Sequence, residues 1–225
     1  MAKVLITGAS GLIGRALVAR FLTDGWEVSA QIRRDDEFEL GKSARVISFD
    51  LERQSGGELI NEVGVVDLVV NNAANQEQLQ LSDREGAIRQ FIVNAIAPTE
   101  IAAAAKKKGV AQLINISSVE ALSARAGHEY YGATKSALES LTKSLAISLA
   151  PMRLLSIRLG LIGDSALSTR WPEGVAAWKE ATPLARYAAP EEVADFVALL
   201  SSDSLRFVTG STFDFDGGKS ANPGW

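Results

Sequence analysis

The sequence has 225 residues, of which 47% are hydrophobic and 22% charged, which is typical of a globular chain long enough to bury a sizeable core. Its net charge of −4 argues against a nucleic-acid surface, and its lack of cysteine excludes disulfides and thiolate chemistry. Because it has a single histidine, His128, it lacks the common ligands of a zinc site, and we expect no metal.

Short apolar, β-branched runs alternate with longer helical stretches along the chain. In chain order the sequence predicts strand Lys3–Thr7, helix Leu12–Thr23, strands Glu27–Ile32 and Arg45–Phe49, helix Gly57–Glu62, strand Val65–Asn71, helix Arg84–Lys108, strand Gln112–Ser117, helix Tyr130–Leu149, strand Leu154–Leu159, helix Pro190–Ser201 and strand Ser211–Phe215. This alternation predicts an α/β fold: a doubly wound parallel sheet of about seven strands with helices on both faces. No repeat or linker interrupts it, so we expect one domain over residues 1–225.

The stretch 163–189 departs from this pattern because it carries no strand signal. Trp171 and Trp178 lie seven residues apart within it and could share a helix face. A stretch of this length without a strand is often a substrate lid. Whether the two tryptophans cover a pocket or pack the lid on the core is left open. The composition favours an apolar pocket with aromatic walls.

The first strand runs into a glycine turn and then a helix. Gly8 permits a tight turn, Gly11 lets the backbone approach a pyrophosphate, and Gly14 lets helix and strand pack closely. The helix N-terminus then offers free N–H groups to the anion. This arrangement predicts a dinucleotide site whose ligands from the turn are Gly8, Ser10, Gly11, Leu12, Ile13 and Gly14.

The end of the second predicted strand indicates which dinucleotide binds. An NAD site usually has an acidic residue here for the ribose hydroxyls, whereas an NADP site prefers a cation for the 2′-phosphate. Arg33 and Arg34 come first, and the next carboxylate is Asp35. We select Arg33 as the phosphate ligand because a guanidinium can grip phosphate in a bidentate fork. The predicted cofactor is therefore NADP(H).

A tyrosine and a lysine lie four residues apart on a predicted helix, so both side chains share one face. These are Tyr131 and Lys135, and a neighbouring ammonium is expected to lower the pKa of the phenol toward neutrality. Upstream, the strand Gln112–Ser117 and the following Ser118 bring serine hydroxyls to the sheet edge where α/β folds bind ligands.

In this order the motifs resemble the short-chain dehydrogenase/reductase family, which has a Rossmann-type fold. In that family the active-site serine lies thirteen residues before the tyrosine, which selects Ser118 over Ser117. Further landmarks resemble the family along nearly the whole chain: Phe49-Asp50-Leu51, Asn71-Asn72-Ala73-Ala74, Val93-Asn94, Pro183-Leu184, Pro190 to Ala194, Thr209-Gly210 and Asp216-Gly217-Gly218.

The resemblance implies hydride transfer between NADP(H) and a carbonyl or secondary alcohol. Tyr131 would exchange the proton with the substrate oxygen, Ser118 would hydrogen-bond that oxygen, Lys135 would hold the nicotinamide ribose, and Asn94 would support a water chain. The resemblance also implies cofactor contacts from Asp50, Leu51, Asn72, Ala73, Ala74, Tyr131, Lys135, Gly160 and Ile162.

Three departures from the family pattern leave alternatives open. The glycine spacing is that of the longer branch, which includes epimerases and dehydratases, although the chain has no room for that branch's substrate domain. Ala74 replaces a glycine, and Leu159 replaces the proline before Gly160. An NAD-dependent epimerase or dehydratase and a non-catalytic NADP(H) sensor are therefore kept as alternatives.

Assembly and location are predicted less directly. The helix Arg84–Lys108 is apolar nearly all round, and in the family its equivalent pairs with a symmetry mate, so we expect a homodimer or homotetramer. No apolar run reaches the length of a membrane span, and the N-terminus lacks signal-peptide features. We expect a cytoplasmic protein that binds no membrane and no nucleic acid. His128 is interpreted as an exposed loop histidine, with substrate contact as the alternative.

Overall fold

The computed structural model describes residues 1–33 and 43–221. Arg34 and Asp35, next to the predicted phosphate ligand, lie outside the described residues, as does the tail from 222 onward. The strands are β1 Lys3–Ile6, β2 Glu27–Ile32, β3 Arg45–Ser48, β4 Leu68–Asn71, β5 Gln112–Ser118, β6 Arg153–Leu159 and β7 Ser211–Phe215. The helices are α1 Leu12–Thr23, α2 Gly56–Val63, α3 Arg84–Phe91, α4 Ala97–Lys107, α5 Glu129–Ser148, α6 Leu167–Arg170, α7 Pro172–Ala181 and α8 Pro190–Leu200.

The strands form a 7-stranded sheet in the order β3-β2-β1-β4-β5-β6-β7, with every pairing parallel. The order reverses between β1 and β4, and the carboxyl ends of the strands meet along one edge. In an open α/β sheet that edge is where ligands bind. The predicted doubly wound fold is confirmed, and the predicted strands differ from the observed ones only at their ends.

Helices cover the sheet on both faces and bury two apolar clusters. Under α1 and α8, the cluster includes Leu17, Phe21 and Val193, all fully buried. On the opposite face, α2 and α4 bury Leu59 and Ile101. Strands covered on both sides must be apolar on both sides, which is why β4 is buried along its whole length.

The single helix predicted over Arg84–Lys108 is interrupted. A π-helical turn, Ile92–Ile96, separates α3 from α4, and the N–H of Ala97 donates to the carbonyl of Ile92. Pro98 in the first turn of α4 has no N–H to donate to the carbonyl of Asn94 four residues earlier. π turns of this kind often occur at functional sites.

The segment 163–189, for which the sequence predicts a lid without strands, contains helices α6 and α7. Trp171 is the residue before α7, and Pro172 occupies the first position of that helix, where its missing N–H costs nothing. A single parallel bridge between Ile162 and Ala188 closes the base of the segment. Within the described ranges, no helix is long and apolar enough to cross a membrane.

Candidate active site

A cavity of about 1030 Å³ runs along the carboxyl edge of the sheet, from the glycine turn to the lid. The predicted site residues that line it are Gly8, Ser10, Gly11, Leu12, Ile13, Arg33, Asp50, Leu51, Asn72, Ala73, Ala74, Ser118, Tyr131, Lys135, Gly160 and Ile162. Two predicted residues, Gly14 and Asn94, are not among the lining residues. The fold therefore gathers residues from most of the chain into one space.

Glycine occupies the three positions of the turn for different physical reasons. Gly8 has a φ of +63°, and a Cβ there would lie 2.7 Å from the Cα of Ala73. A Cβ on Gly14 would lie 2.2 Å from the carbonyl oxygen of Gly8, so this residue serves helix packing and not the ligand. At Gly11 the nearest described atom to such a Cβ is the Gly8 oxygen at 3.4 Å, and φ is −71°. Since neither packing nor conformation demands glycine at Gly11, its open side fits a ligand that approaches closely.

The N-terminus of α1 faces the cavity without a side-chain cap. Gly11 is the N-cap residue, and among the described residues no side-chain cap accepts a hydrogen bond there. Ser10, Leu12 and Ile13 line the cavity around it. Uncapped N–H groups and the positive end of the helix dipole suit an anionic group, so this end of the site fits the pyrophosphate of a dinucleotide.

The side chain of Asn72 is hydrogen-bonded to the glycine turn. Its Nδ2 donates to the carbonyl oxygens of Thr7 at 3.0 Å and Gly8 at 3.1 Å. The hydroxyl of Thr7 accepts in return from the backbone N–H groups of Asn72 and Ala73, both at 3.0 Å. The predicted cofactor residue Asn72 thus clamps β1 to the segment after β4, and its side chain acts by holding the cradle in shape.

The adenosine end of the cavity lies beyond β2 and β3. Arg33 follows β2, is exposed and lines the cavity, and no described residue forms an ion pair with it. Asp50 accepts from the N–H of Glu52 at 3.0 Å. Gln31, which the sequence analysis missed, links the regions: it accepts from Gly8 N–H at 2.9 Å and donates to the carbonyl of Phe49 at 2.6 Å.

Tyr131, Lys135 and Ser118 meet at the centre of the cavity. Both α5 residues are largely buried, with Tyr131 8% and Lys135 3% exposed. The Lys135 Nζ donates to the carbonyl of Ile116 at 2.8 Å and lies 5.7 Å from the centroid of the Tyr131 ring. The hydroxyl of Ser118 accepts from Glu120 N–H at 3.2 Å, which orients it at the end of β5.

The ionisation of the pair differs from the sequence-based expectation. Burial raises the pKa of Tyr131 to about 12, although a hydrogen bond with Ser118 opposes the rise; the charge of Glu120 adds to it. Burial also lowers the pKa of Lys135 to about 8, against the attraction of Glu139. The expected lowering of the Tyr131 pKa by Lys135 is therefore not found: burial is the main cause of the shift and it disfavours the phenolate.

Asn94 lies in the π turn and has every side-chain hydrogen bond made within the protein. Its Nδ2 donates to the carbonyl of Asn75 at 2.7 Å and to Thr134 Oγ1 at 3.0 Å, and its Oδ1 accepts from Asn75 N–H at 2.8 Å. It is 1% exposed. The side chain thus fixes the Asn75 loop of the cavity wall onto α5. The water chain that the resemblance implies remains a prediction.

The substrate end of the cavity has a polar wall that the sequence analysis did not foresee. Nδ1 of His128 lies 3.0 Å from the Glu120 carboxylate, which also contacts Arg125 at 3.4 Å. The other ring nitrogen lies 3.4 Å from the Gln78 amide, and the ring meets Tyr131 edge-on at 5.8 Å between centroids. His128 is therefore a largely buried cavity residue and not an exposed loop histidine.

A second part of the lining is aromatic and comes from the lid. The Arg125 guanidinium lies over the ring of Trp171, 5.4 Å from its centroid. Trp178 packs so closely on Gly160 that a Cβ there would lie 2.6 Å from the indole ring. Both tryptophans line the cavity, so the lid covers the pocket and packs on the core at once. The expected apolar pocket is half right, because only this part of the lining is aromatic.

Comparisons with known proteins agree with the geometry. A family model described as enoyl-(acyl carrier protein) reductase matches residues 8–220. The L-xylulose reductase of Mus musculus is 31% identical, with 96% of this chain and 95% of that protein covered. A structure of BdcA in complex with NADPH superposes with a TM-score of 0.87 at 28% identity, covering 96% of this chain and 93% of that one.

A structure of 4-hydroxyisoleucine dehydrogenase complexed with NADH superposes with a TM-score of 0.86 at 27% identity, covering 98% of this chain and 99% of that one. The chain belongs to the short-chain dehydrogenase/reductase family. It is an oxidoreductase, and proteins of that family use a nicotinamide cofactor and act on small molecules.

Proposed function

We propose that the protein is an NADP(H)-dependent oxidoreductase that transfers hydride between NADP(H) and a carbonyl compound or its secondary alcohol. The observation that carries the proposal is the meeting of Ser118, Tyr131 and Lys135 in the same cavity as the uncapped helix and glycine turn. A sensor would need the turn but not the buried tyrosine–lysine pair. A nicotinamide bound at this edge would supply or accept the hydride.

The residues of the chain supply the proton and its control. With its pKa raised to about 12, Tyr131 is a neutral phenol near pH 7 and can donate its proton to a carbonyl oxygen. The hydrogen bond from Ser118 favours the phenolate that this leaves. Lys135, whose pKa is about 8, is mostly an ammonium at pH 7, and the cofactor ribose would be held beside it. In the reverse direction, the phenolate would accept the alcohol proton.

The preference for NADP(H) over NAD(H) rests on Arg33. Its exposed guanidinium lines the cavity after β2, where the 2′-phosphate of the adenosine ribose would lie. One structural neighbour is a complex with NADPH and another a complex with NADH, so relatives with this fold differ in cofactor. The cation at Arg33 favours the phosphorylated form, because a guanidinium has five donors suited to phosphate.

The substrate proposed is a small polar carbonyl compound. Glu120 and His128 on the polar wall could bond hydroxyl groups, while Trp171 in the aromatic part of the lining could cover an apolar face. The relatives include proteins named L-xylulose reductase, so hydroxylated ketones belong in a substrate panel. The charged wall disfavours large apolar substrates, which would leave Glu120 and His128 desolvated.

We also propose a homo-oligomer, formed through the surface of α3 and the π turn. A shallow apolar groove of about 490 Å³ lies there, lined by Ile88, Phe91, Ile96 and Tyr130 among others. Ile88 and Ile96 are each 48% exposed, which is high for isoleucine. Light scattering should give at least a dimer mass, and Ile96→Glu should reduce it. A monomeric wild-type protein would contradict this part of the proposal.

The proposed activity is tested by following nicotinamide absorbance with NADPH, and separately with NADH, against hydroxyketones, aldehydes and quinones. We expect consumption of NADPH with at least one hydroxylated ketone, and less of NADH. Tight NADPH binding with no turnover across the panel would favour a sensor. Protein that purifies with NAD and converts a sugar without consuming added cofactor would favour an epimerase.

A further inference from the structure

A row of polar side chains crosses the sheet beneath α5, where a parallel sheet is normally apolar. Ser117 on β5, Arg158 on β6 and Asp214 on β7 are directly paired in register. They lie on one face because residues opposite one another in neighbouring strands point the same way. Ser117 is the serine next to Ser118, and the proposed chemistry gives it no role.

A buried carboxylate completes the row from the helix side. Glu139 on α5 is 7% exposed and accepts from Ser117 Oγ at 2.7 Å. Arg158 grips it with two bonds, from Nε at 3.0 Å and Nη2 at 2.5 Å, and reaches Asp214 through Nη1 at 2.5 Å. These three hydrogen bonds hold the Glu139 carboxylate in one position. A buried pair of this kind is weak evidence for stability, because desolvation offsets the attraction, so another role is to be sought.

Glu139 lies one helical turn after Lys135, and the spacing of four places both on one face of α5. Lys135 is almost completely buried, and its ammonium donates to the neutral carbonyl of Ile116. A buried ammonium needs a counter-charge to remain protonated. Among the described residues, the ionisable groups on this side of the sheet include Tyr131 and Glu139 on α5, Glu120 after β5, Arg158 on β6 and, beyond Arg158, Asp214 on β7.

We propose that Glu139 is a positioning residue of the reaction: its carboxylate, fixed by Ser117 and Arg158, is the buried counter-charge that keeps Lys135 an ammonium bonded to Ile116. The kinetic part of this inference rests on the function proposed above, whereas the charge of Lys135 does not. Among the surrounding groups, Glu139 is the one whose charge raises the pKa of Lys135 against the effect of burial. Replacing its charge should therefore deprotonate Lys135 at a lower pH.

The direct test is the titration of Lys135 in protein labelled with ¹³C at the lysine side chains, followed by NMR without cofactor. The Lys135 signal is identified by its loss in Lys135→Met. In Glu139→Gln, which keeps a group able to accept from Ser117, we expect the midpoint to fall by about one pH unit or more. An unchanged midpoint in the folded variant would overturn the proposal.

Removing Glu139 alone takes two bonds from the largely buried Arg158 guanidinium and leaves Asp214 as its remaining charged partner, which can prevent folding. The double variant Glu139→Gln with Arg158→Gln removes both charges together. The Lys135 midpoint should still fall in it, but by less than in Glu139→Gln, because loss of the Arg158 cation favours the Lys135 ammonium. The matched control is Asp214→Asn, which alters the outer contact of Arg158 and leaves Glu139 charged. Its Lys135 midpoint should stay at the wild-type value, and a fall as large as that of Glu139→Gln would contradict the assignment.

Turnover gives a second readout that a merely structural role would not move. The alkaline limb of kcat/KM with NADPH should shift to lower pH in Glu139→Gln by the same amount as the NMR midpoint. If the midpoint shifts and the limb does not, the catalytic role of Lys135 is wrong while its counter-charge stands. If neither shifts, the inference about Glu139 fails and the proposed function is untouched.

Discussion

The two faces of the sheet bury different kinds of side chains. Under α1 and α8 the buried side chains are apolar, with Leu17, Phe21 and Val193 fully buried and no buried charge among the residues of that cluster. Under α5 the sheet carries Ser117 and Arg158, and both donate hydrogen bonds to Glu139 of the helix. Both faces remove apolar surface from water, but the second face also keeps charges inside the protein under α5.

The apolar cluster under α1 and α8 contributes to the stability of the fold, whereas the charged groups under α5 are assigned to the proposed chemistry. Apolar burial contributes about 25 cal/mol per Å², so the α1 face stabilises the fold directly. Buried ions are costly and are retained where their charge is used. Lys135 and Tyr131, both with strongly shifted pKa values, stand at the end of the charged face. Substitutions on the two faces should therefore change different measured quantities.

The largest effect on activity is expected from Tyr131→Phe. Loss of the proton donor should lower kcat/KM by about 10²–10⁴-fold, while the free energy of unfolding changes little because the ring remains. Tyr130→Phe is the matched control, since that hydroxyl donates to the Leu81 carbonyl and faces the groove outside the cavity. Steady-state rates with NADPH measure both. Equal rates for Tyr131→Phe and wild type would exclude the proposed acid.

The largest effect on stability is expected on the apolar face, from Phe21→Ala. Phe21 is fully buried and meets Trp26 edge-on at 5.1 Å between ring centroids. Its loss should reduce the free energy of unfolding by about 3–5 kcal/mol, as measured by urea denaturation. The folded fraction should retain its kcat. Phe207→Ala is the control, because Phe207 is fully exposed and should change stability by less than about 0.5 kcal/mol.

The buried Lys135 under α5 should make the free energy of unfolding depend on pH. The Lys135 pKa is about 8 in the folded protein, whereas an exposed lysine has a pKa of 10.5. Between these values the unfolded chain binds more protons, so stability rises with pH, by up to ~3 kcal/mol. Denaturation midpoints at intervals from pH 8 to 10 should show the rise, and Lys135→Met should abolish it. The raised pKa of Tyr131 affects stability only above about pH 10, where the unfolded chain loses its phenol proton first and stability falls.

The smallest effect concerns cofactor choice. Arg33→Ala should weaken NADPH binding by about 10- to 150-fold, since a charge-assisted contact to phosphate contributes roughly 1.5–3 kcal/mol, and should leave NADH binding nearly unchanged. Calorimetric titration measures both. Arg206→Ala, at an exposed position after α8, is the control and should alter neither. Equal losses for NADPH and NADH would remove Arg33 from its proposed role.

The sequence by itself determined the fold and supplied the candidate groups at the centre of the proposed site. Periodicity predicted every strand, because apolar runs such as β4 have to be buried on both faces. The glycine turn and the Tyr131–Lys135 spacing are local features, readable within a few residues. The π turn was missed because it needs one extra residue per turn, which a helical pattern does not show, although Pro98 was a local signal for it.

Only the tertiary structure decided the environment of those groups. Gln31 contacts Gly8, His128 contacts Glu120, and Glu139 contacts Arg158 across separations that no local pattern encodes. The Tyr131 pKa was misjudged for the same reason: spacing on a helix places Lys135 nearby, but burial of the phenol, which depends on the whole fold, dominates. Residue identity selects the chemistry, and desolvation and distant charges set the pH at which it can operate.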